Sequence, residues 1–147
     1  MACKMGSSSS KDLMGNGMKG DNAPKLSVLI VDDDAILRRI HTMFFKKHGF
    51  ETTAVENGQE AINLYRSGSW FHLVLMDKEM PVMDGPEATR ELRAMGVNNM
   101  IVGMTSRDRD SEQQSFMEAG LDNCYIKPLT ANVVVSLAQA IANKNSE

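Results

Sequence analysis

The feature that most constrains the fold of this chain is a repeated alternation of short apolar runs with stretches of helical periodicity. Three runs are apolar at nearly every residue: Leu26–Val31, Phe71–Met76 and Met100–Met104. Such runs are typical of strands that are covered on both faces, as in a parallel sheet. Glu51–Val55 and Asn123–Ile126 are weaker strand candidates. The sequence therefore predicts five strands.

A helix is predicted after each strand, from an apolar stripe or from a residue suited to a helix end. The helices are expected at Ala35–His48, from Asn57 to about Ser67, from Pro86 through Leu92, from about Arg109 to Gly120, and from Thr130 through Ile141. On the first helix one face carries Leu37, Ile40, Phe44 and His48; the last helix has a stripe of Val133, Val134, Leu137 and Ile141. This alternation predicts an α/β fold, an open parallel sheet with helices on both faces.

The chain divides into one folded unit and two polar ends. Residues 1–24 include Ser7–Ser10 and four glycines, and they cannot bury enough apolar surface to offset the entropy cost of ordering them. We therefore expect a disordered tail at 1–24, one domain at 25–143 and a polar tail at 144–147. Because only a few polar residues follow the last helix, we expect no appended DNA-binding domain.

Composition excludes several classes of protein. The net charge is −3, so the chain has no excess of Lys and Arg for binding phosphate backbones, and nucleic acid is not an expected partner. No stretch approaches the roughly 18 apolar residues of a membrane helix, and no signal peptide or myristoylation pattern is found. We expect no membrane association and a cytoplasmic or nuclear location. Cys3 and Cys124 are too few for a disulfide framework.

Polar residues lie where four of the predicted strands end. They are Asp32, Asp33 and Asp34 after the first strand, Asp77 after the third, Thr105 and Ser106 after the fourth, and Lys127 with Pro128 after the fifth. A lone Asp at such a place is usually a turn or capping residue. In open parallel sheets, however, ligands bind beyond the carboxyl ends of the strands. Crowded carboxylates repel one another unless a cation lies among them, and a phosphate site with oxygen ligands favours magnesium.

These residues fall within four motifs that resemble the signatures of response-regulator receiver domains. The motifs are IVDDD at Ile30–Asp34, VLMDKEMPVMDG at Val74–Gly85, GMTS at Gly103–Ser106 and YIKPLT at Tyr125–Thr130. In finer detail the chain resembles plant type-C response regulators, the stand-alone receivers of cytokinin-type phosphorelays. The resemblance implies a flavodoxin-like (βα)5 fold with a doubly wound five-stranded sheet in the order 2-1-3-4-5.

The resemblance also implies a phosphoacceptor and a metal site. Asp77 would attack the phosphorus of a phosphohistidine and form an acyl phosphate. Asp33 and Asp77 would ligate Mg²⁺ (or Mn²⁺) directly, Asp32 would act through a water, and Glu79 would contribute its backbone carbonyl. The implied function is that of a receiver in a two-component phosphorelay.

Three further residues complete the implied site. Lys127 would pair with Asp77 and then with a phosphoryl oxygen, and Thr105 would donate its hydroxyl group to another phosphoryl oxygen. Pro128 is expected to follow a cis peptide bond that helps aim Lys127. Catalysis of this kind depends on positioning and on charge neutralisation.

The implied partner is a histidine phosphotransfer protein, and the receiver is expected to be a monomer. It would be a signalling protein, not an enzyme in the usual sense, although it would catalyse its own phosphorylation and dephosphorylation. Roles as a phosphate sink, a shuttle or a competitor of other receivers all stay open, as does phosphatase activity on the partner's phosphohistidine. A stripe on the first helix is the predicted docking surface: Ile36, Arg39, Ile40, Met43 and Lys47.

Two features modify this expectation. Most receivers have Phe or Tyr three residues before the lysine, whereas this chain has Cys124, so signalling through the usual output face is in doubt. Glu79 and Arg107 are expected to flank the opening of the site, where they either form a charged gate against hydrolytic water or are simply solvated. Ser106 is small and leaves that path open.

Two other functions would account for part of this pattern. A haloacid-dehalogenase-type phosphatase would use Asp32 as the nucleophile and Asp34 as the second acid, but no acidic pair follows Lys127 and the MDKEMPVMDG stretch would have no role. A binding module that keeps a receiver fold without phosphorylation is disfavoured, because all five site positions carry competent residue types.

Overall fold

A computed structural model describes residues 25–106 and 110–145 of this protein, apart from the side chains of residues 110–112 and 145. The strands are β1 (Ser27–Val31), β2 (Glu51–Val55), β3 (Leu73–Asp77), β4 (Met100–Thr105) and β5 (Asn123–Ile126). All neighbouring strands pair in parallel, in the order β2-β1-β3-β4-β5. The predicted fold class and strand order are therefore confirmed.

The helices of the described residues are α1 (Ala35–Lys47), α2 (Gly58–Arg66), α3 (Gly85–Ala94), α4 (Asp110–Glu118) and α5 (Ala131–Asn145). Short polar side chains begin several of them by accepting hydrogen bonds from otherwise unpaired backbone N–H groups. Asn57 accepts from Glu60 N, Asp84 from Glu87 N, and Thr130 from Val133 N. None of the helices in the described ranges is long and apolar enough to span a membrane.

The sheet separates two apolar cores, and alternate residues of the central strands face opposite cores. On β1, Leu29 and Val31 pack against α2, α3 and α4, whereas Val28 and Ile30 pack against α1 and α5. Both faces of β1, β3 and β4 are buried, which explains their continuous apolar runs. The two edge strands, β2 and β5, are largely exposed, and this is why their sequence signal was weaker.

Several predicted boundaries need correction. The third strand was expected at Phe71–Met76 but covers Leu73–Asp77, because Phe71 is buried against the ring of Tyr65 without joining the ladder. The first strand begins at Ser27 instead of Leu26. The last helix continues to Asn145, since neither Gly nor Pro interrupts it, so Lys144 and Asn145 are helical instead of forming the predicted tail. Residues 1–24 and 146–147 lie outside the described ranges.

The buried face of α1 also differs from the predicted one. Its fully buried residues are His41 and Phe45, whereas His48 is exposed and caps the carboxyl end of the helix. The pattern of apolar residues was misleading because one core position of this helix is occupied by a polar residue. His41 has a specific partner, described below.

Candidate functional site

Three carboxylates meet at the carboxyl ends of β1 and β3. One oxygen each of Asp32, Asp33 and Asp77 lies within 4.8 Å of the others, and the first and third of these residues are buried. The two central strands bring them together, since Val31 and Met76 are paired residues and each precedes an aspartate. The parallel register therefore builds the acidic cluster that was predicted from strand ends.

Lys127 reaches this cluster from the end of β5. Its Nζ donates a 2.9 Å hydrogen bond to Asp77 Oδ1 and lies 3.6 Å from Asp32 Oδ2. Both carboxylates are almost wholly buried, and the lysine side chain is mostly buried. A charge-assisted hydrogen bond in such a place is stronger than one at the surface. Lys127 thus neutralises part of the negative charge of the cluster.

The charges at this site shift one another's pKa values. Burial, together with the nearby charge of Asp32, raises the pKa of Asp77 to about 7, and the hydrogen bond from Lys127 only partly offsets this rise. For Lys127, burial alone would lower the pKa, but the hydrogen bond to Asp77 and the charges of Asp77 and Asp32 outweigh it and raise the pKa. The ammonium form is therefore strongly favoured, and the cluster carries more negative charge than one lysine balances.

Two buried oxygens of the cluster have room for a further partner. Among the residues that the structure describes, neither Asp32 Oδ2 nor Asp77 Oδ2 has a hydrogen-bond partner. A buried polar atom without a partner is costly and needs an explanation. A divalent cation supplies one, because carboxylate oxygens are the ligands that Mg²⁺ and Mn²⁺ prefer. The donor set thus fits the predicted metal.

Thr105 and Lys127 are joined through the backbone. Thr105 is buried at the end of β4, and its carbonyl oxygen accepts a 2.9 Å hydrogen bond from Lys127 N. The Lys127–Pro128 peptide bond is cis, as expected. Thr105 is paired with Ile126 in the sheet, so both predicted phosphate-binding residues approach the cluster from its β4–β5 side.

The loop between β3 and α3 folds back onto Asp77. Gly85 N donates to Lys78 O over 2.8 Å, and a Cβ at Gly85 would overlap the Asp77 carbonyl oxygen. Glycine is therefore required at this close approach. In the same loop Val82 has φ +71° and is 79% exposed. A β-branched residue in the left-handed region is strained, and such strain is found mostly at functional sites.

Helix α1 is tied to the acidic cluster at its first turns. Asp34 caps the helix, since its Oδ1 accepts from Ile36 N and Leu37 N. Asp32 Oδ1 accepts from Asp34 N, and Arg38 donates to the Asp32 carbonyl oxygen over 2.8 Å. Asp34 is thus occupied as a cap, which leaves it outside the metal cluster and does not favour the role of second acid in the phosphatase hypothesis.

The residues around the opening of the site, Glu79 and Ser106, are exposed, whereas Cys124 lies deeper. The side chain of Glu79 is exposed in the loop after β3, and Ser106 is exposed just beyond β4. Cys124 is half-buried beside Gly103, and burial raises the pKa of its thiol. Arg107 lies outside the described residues, so the structure does not address the Glu79–Arg107 gate.

The predicted docking stripe of α1 is displayed on the surface near the cluster. Ile36 is 71% exposed and Met43 62% exposed, and Arg39 and Lys47 are exposed as well. Ile40 is half-buried. Two large apolar side chains therefore face solvent on the helix that begins directly after the aspartates.

Sequence reasoning missed Arg38 and His41, which connect α1 to the site. Arg38 resembled any surface cation of an amphipathic helix, and His41 lay one residue away from the inner face that the apolar periodicity predicted. The imidazole Nε2 of His41 accepts a 3.1 Å hydrogen bond from Leu129 N. Burial lowers the pKa of His41, so the neutral form is favoured. No sequence signal pairs two residues that are 88 positions apart.

Comparison with known proteins agrees with this geometry. The sequence model of the response regulator receiver domain matches residues 28–139. The Arabidopsis thaliana "Two-component response regulator ARR22" is 51% identical over 107 residues, covering 71% of this chain and 75% of that protein. "Two-component response regulator 24" of the same plant is 42% identical over 113 residues, covering 77% and 81%.

A solved structure of a complex contains a similar domain. It is the co-crystal structure of the Saccharomyces cerevisiae histidine phosphotransfer signaling protein Ypd1 with the receiver domain of its downstream response regulator Ssk1. The matched chain is 28% identical with a TM-score of 0.69, and the match covers 81% of this chain and 88% of that chain.

Proposed function

This chain belongs to the response regulator receiver domain family and is a two-component signalling protein, and from that premise we propose that it accepts a phosphoryl group on Asp77 in a divalent-cation-dependent phosphorelay. The observation that carries this proposal is the hydrogen bond from Lys127 to Asp77 beside two buried carboxylate oxygens, Asp32 Oδ2 and Asp77 Oδ2, that have no hydrogen-bond partner among the described residues. Such a site would suit a cation and an anionic group together.

The proposed reaction transfers a phosphoryl group from nitrogen to oxygen. A carboxylate oxygen of Asp77 forms a bond to phosphorus while the bond from phosphorus to the donor's imidazole nitrogen breaks, and the product is an acyl phosphate. Asp32, Asp33, Asp77 and the carbonyl group of Glu79 would hold Mg²⁺ or Mn²⁺, which would neutralise charge on the phosphoryl oxygens. Lys127 would move its hydrogen bond from Asp77 to a phosphoryl oxygen, and Thr105 would donate to another.

The acceptor is tested by phosphorylation with a small phosphodonor, acetyl phosphate, in the presence of magnesium. Wild type should gain one phosphoryl group by intact-protein mass spectrometry, and Asp77→Asn should gain none. The phosphorylated residue is located by tandem mass spectrometry of the digested protein, because a haloacid-dehalogenase-type phosphatase would carry the phosphoryl group on Asp32 instead of Asp77. Full labelling of Asp77→Asn would overturn the proposal.

The proposed donor is a histidine phosphotransfer protein. The receiver domain of Ssk1, which resembles this chain, was crystallised with such a protein. This chain also exposes Ile36 and Met43 on α1 and the strained Val82 after β3, and both segments begin at neighbouring strand ends. Exposed apolar side chains grouped around a reactive site are typical of a partner surface.

Docking on α1 is tested by an Ile36→Asp, Met43→Asp double variant. We expect its affinity for the phosphotransfer protein to fall at least about tenfold, since hot-spot residues often contribute 2 kcal/mol or more. Phosphorylation by acetyl phosphate should not change, because neither side chain belongs to the acidic cluster. Met95→Asp is the matched control: Met95 is also exposed, but it follows the carboxyl end of α3, away from the site. Wild-type affinity in the double variant would overturn this docking surface.

The proposed role in the relay is that of a phosphate sink. Cys124 occupies the place at which most receivers carry an aromatic ring, and it is half-buried beside Gly103. A thiol cannot report phosphorylation by the rotation of a ring, so draining the partner is favoured over signalling through the usual output face. Incubation with a labelled phosphotransfer protein should move the label to the receiver and then to free phosphate. Label that returns to the partner would indicate a shuttle instead.

A monomeric state and a cytoplasmic or nuclear location complete the proposal. Both follow from the resemblance to stand-alone plant receivers. Sedimentation of the full chain with and without acetyl phosphate would test the first, and imaging of a fluorescent fusion would test the second. A phosphorylation-dependent dimer would contradict the proposed state.

A further inference from the structure

His41 is a fully buried polar residue on the inner face of α1, outside the acidic cluster. Its Nε2 accepts a 3.1 Å hydrogen bond from the backbone N–H of Leu129, also buried, so the imidazole proton lies on Nδ1. Nδ1 has no well-formed hydrogen bond within the described part of the chain, although the carbonyl group of Leu37 is near enough to influence its pKa. Only the Leu129 bond therefore connects this ring firmly to another element.

That bond holds the backbone segment that carries Lys127. Lys127 N donates to Thr105 O over 2.9 Å, which fixes one end of the segment to β4. Pro128 has no N–H group, so Leu129 provides the next backbone donor along the chain. Its hydrogen bond to His41 fixes the other end to α1. The main chain from Lys127 to Leu129 is thus held at both ends, and it carries the side chain whose ammonium group contacts Asp77.

An apolar residue at position 41 would pack in the same core but could not accept this hydrogen bond. The neighbours of His41 in the core include Phe45 on the same helix, so packing alone gives no reason for an imidazole. Burying a polar side chain is unfavourable unless it is hydrogen-bonded, and the N–H of Leu129 would itself be left unpaired. The hydrogen bond between the two is therefore the property that distinguishes His41 from an ordinary core residue.

We propose that His41 is a positioning residue for phosphoryl transfer, which holds the Lys127–Leu129 segment through the backbone N–H of Leu129 and so keeps Lys127 Nζ on Asp77. This inference rests on the proposed function and deepens it. Helix α1 then contacts the site at two places. His41 binds Leu129 N, and Arg38, three residues before His41, donates a hydrogen bond to the carbonyl group of Asp32. The helix that is proposed to receive the partner is the one that fixes both the acidic cluster and the lysine.

Three full-length variants test the proposal. His41→Leu removes the acceptor at similar volume, and His41→Gln restores an acceptor on a flexible side chain. Phe45→Leu is the control: Phe45 is equally buried one turn later on α1 and belongs to the same core cluster as Leu129, so its truncation destabilises that core but leaves the hydrogen bond from Leu129 N to His41 in place. Urea unfolding gives the stability of each, and acetyl phosphate at saturating magnesium gives the rate of Asp77 phosphorylation.

We expect His41→Leu to phosphorylate at least about tenfold more slowly than wild type, since a displacement of about 1 Å can cost a reaction about 100-fold. His41→Gln should recover most of that rate, and Phe45→Leu should lose stability but keep the wild-type rate. The magnesium affinity should be the same in all of them. Equal slowing in His41→Leu and Phe45→Leu, or no recovery in His41→Gln, would mean that His41 is a structural residue only.

A second readout does not depend on phosphorylation. The ¹⁵Nζ resonance of Lys127, assigned by its loss in Lys127→Arg, reports the contact with Asp77 in the unphosphorylated protein. It should shift in His41→Leu, return in His41→Gln and stay unchanged in Phe45→Leu. If wild type does not accept phosphate but the resonance behaves in this way, the proposed function fails while the positioning role stands; an unshifted resonance overturns the positioning role.

Folding failure of His41→Leu would not leave the proposal untested. An amide-to-ester replacement at Leu129, introduced by ligation of a synthetic carboxyl-terminal segment, removes the donor and keeps both side chains. The same slowing and the same shift of the Lys127 resonance are expected. A wild-type rate in the ester protein would overturn the proposal.

Discussion

Lys127 Nζ lies 2.9 Å from Asp77 Oδ1 and 3.6 Å from Asp32 Oδ2, so one ammonium group faces two buried carboxylates. A third carboxylate, that of Asp33, lies close to both. The site is therefore electrostatically unbalanced when it holds no cation, and this imbalance determines how it responds to substitution, pH and magnesium.

Asp77→Asn should make the metal-free protein more stable. Asn has nearly the same shape as Asp and can still accept from Lys127, but it removes one of the repelling buried charges. Each unit of unfavourable pKa shift corresponds to about 1.4 kcal/mol, so we expect a gain of at least about 1 kcal/mol at pH 8 by urea unfolding without magnesium. Leu137→Ala, a core truncation away from the site, should be destabilised instead. A loss of stability in Asp77→Asn would contradict the charge argument.

The affinity for magnesium should rise with pH through neutrality. The pKa of Asp77 is raised to about 7, so near and below that pH a proton competes with the cation for the carboxylate. In calorimetric titrations magnesium binding should become tighter as the pH rises from about 6 to 8, and the measured heat should depend on the buffer, because the buffer takes up the proton that Asp77 releases. Asp77→Asn should bind magnesium weakly and without this pH dependence. A pH-independent affinity in wild type would mean that the metal-free Asp77 is already ionised.

The same pKa predicts how stability depends on pH. The folded pKa of about 7 exceeds the ordinary value of 3.8, so the folded protein holds a proton that the unfolded chain has lost. The contribution of Asp77 to the free energy of unfolding is therefore greatest below about pH 4 and falls as the pH rises from about 4 to 7. His41 acts in the opposite sense below about pH 6.5, because its pKa is lowered by burial. The difference between wild type and Asp77→Asn at each pH isolates the contribution of Asp77.

The fold could be read from the sequence because its signals are local. Fully buried strands produce continuous apolar runs, and Asn57 and Thr130 begin helices by capping them within three residues. The acidic cluster was predictable for a similar reason. Parallel strands end at one edge, so residues at the ends of β1 and β3 must meet.

What the sequence did not reveal depends on contacts between distant backbone and side-chain groups. The bond between His41 and Leu129 and that between Arg38 and the Asp32 carbonyl leave no compositional trace. The inward face of α1 was assigned one residue away from its true position for the same reason: a histidine was not expected in an apolar core. Such contacts are fixed only when the helix has docked on the sheet.

Gly85→Ala should disturb the site more than its small size suggests. The new Cβ would overlap the Asp77 carbonyl oxygen and lie 2.8 Å from Phe116 Cζ, so the loop after β3 must move. We expect a loss of about 1–3 kcal/mol, which is typical of overpacking, together with slower phosphorylation by acetyl phosphate. Gly49→Ala is the contrast, since its φ is +86° but nothing lies within 4 Å. It should lose about 1–2 kcal/mol from backbone strain alone and phosphorylate normally. Normal phosphorylation of Gly85→Ala would show that the loop adjusts without moving Asp77.

The lifetime of the phosphoryl group should depend on the charged gate at the opening of the site. Glu79 is exposed two residues after Asp77. Arg107, two residues after Thr105 in the sequence, is the residue of opposite charge proposed to pair with it near the path of the hydrolytic water. An exposed ion pair contributes only about 0–1 kcal/mol, and 1 kcal/mol in a barrier corresponds to about a fivefold change in rate. We therefore expect Arg107→Ala and Glu79→Ala each to speed the loss of phosphate up to about fivefold, and added salt to do so more weakly.

The control for the gate is Glu87→Ala, which removes an exposed acid on α3 and should have the wild-type rate. The measurement is the first-order decay of the isolated phosphoprotein with magnesium present. Equal rates for wild type and both gate variants would rule the gate out, because a water that reaches Asp77 past Ser106 alone would be indifferent to either charge.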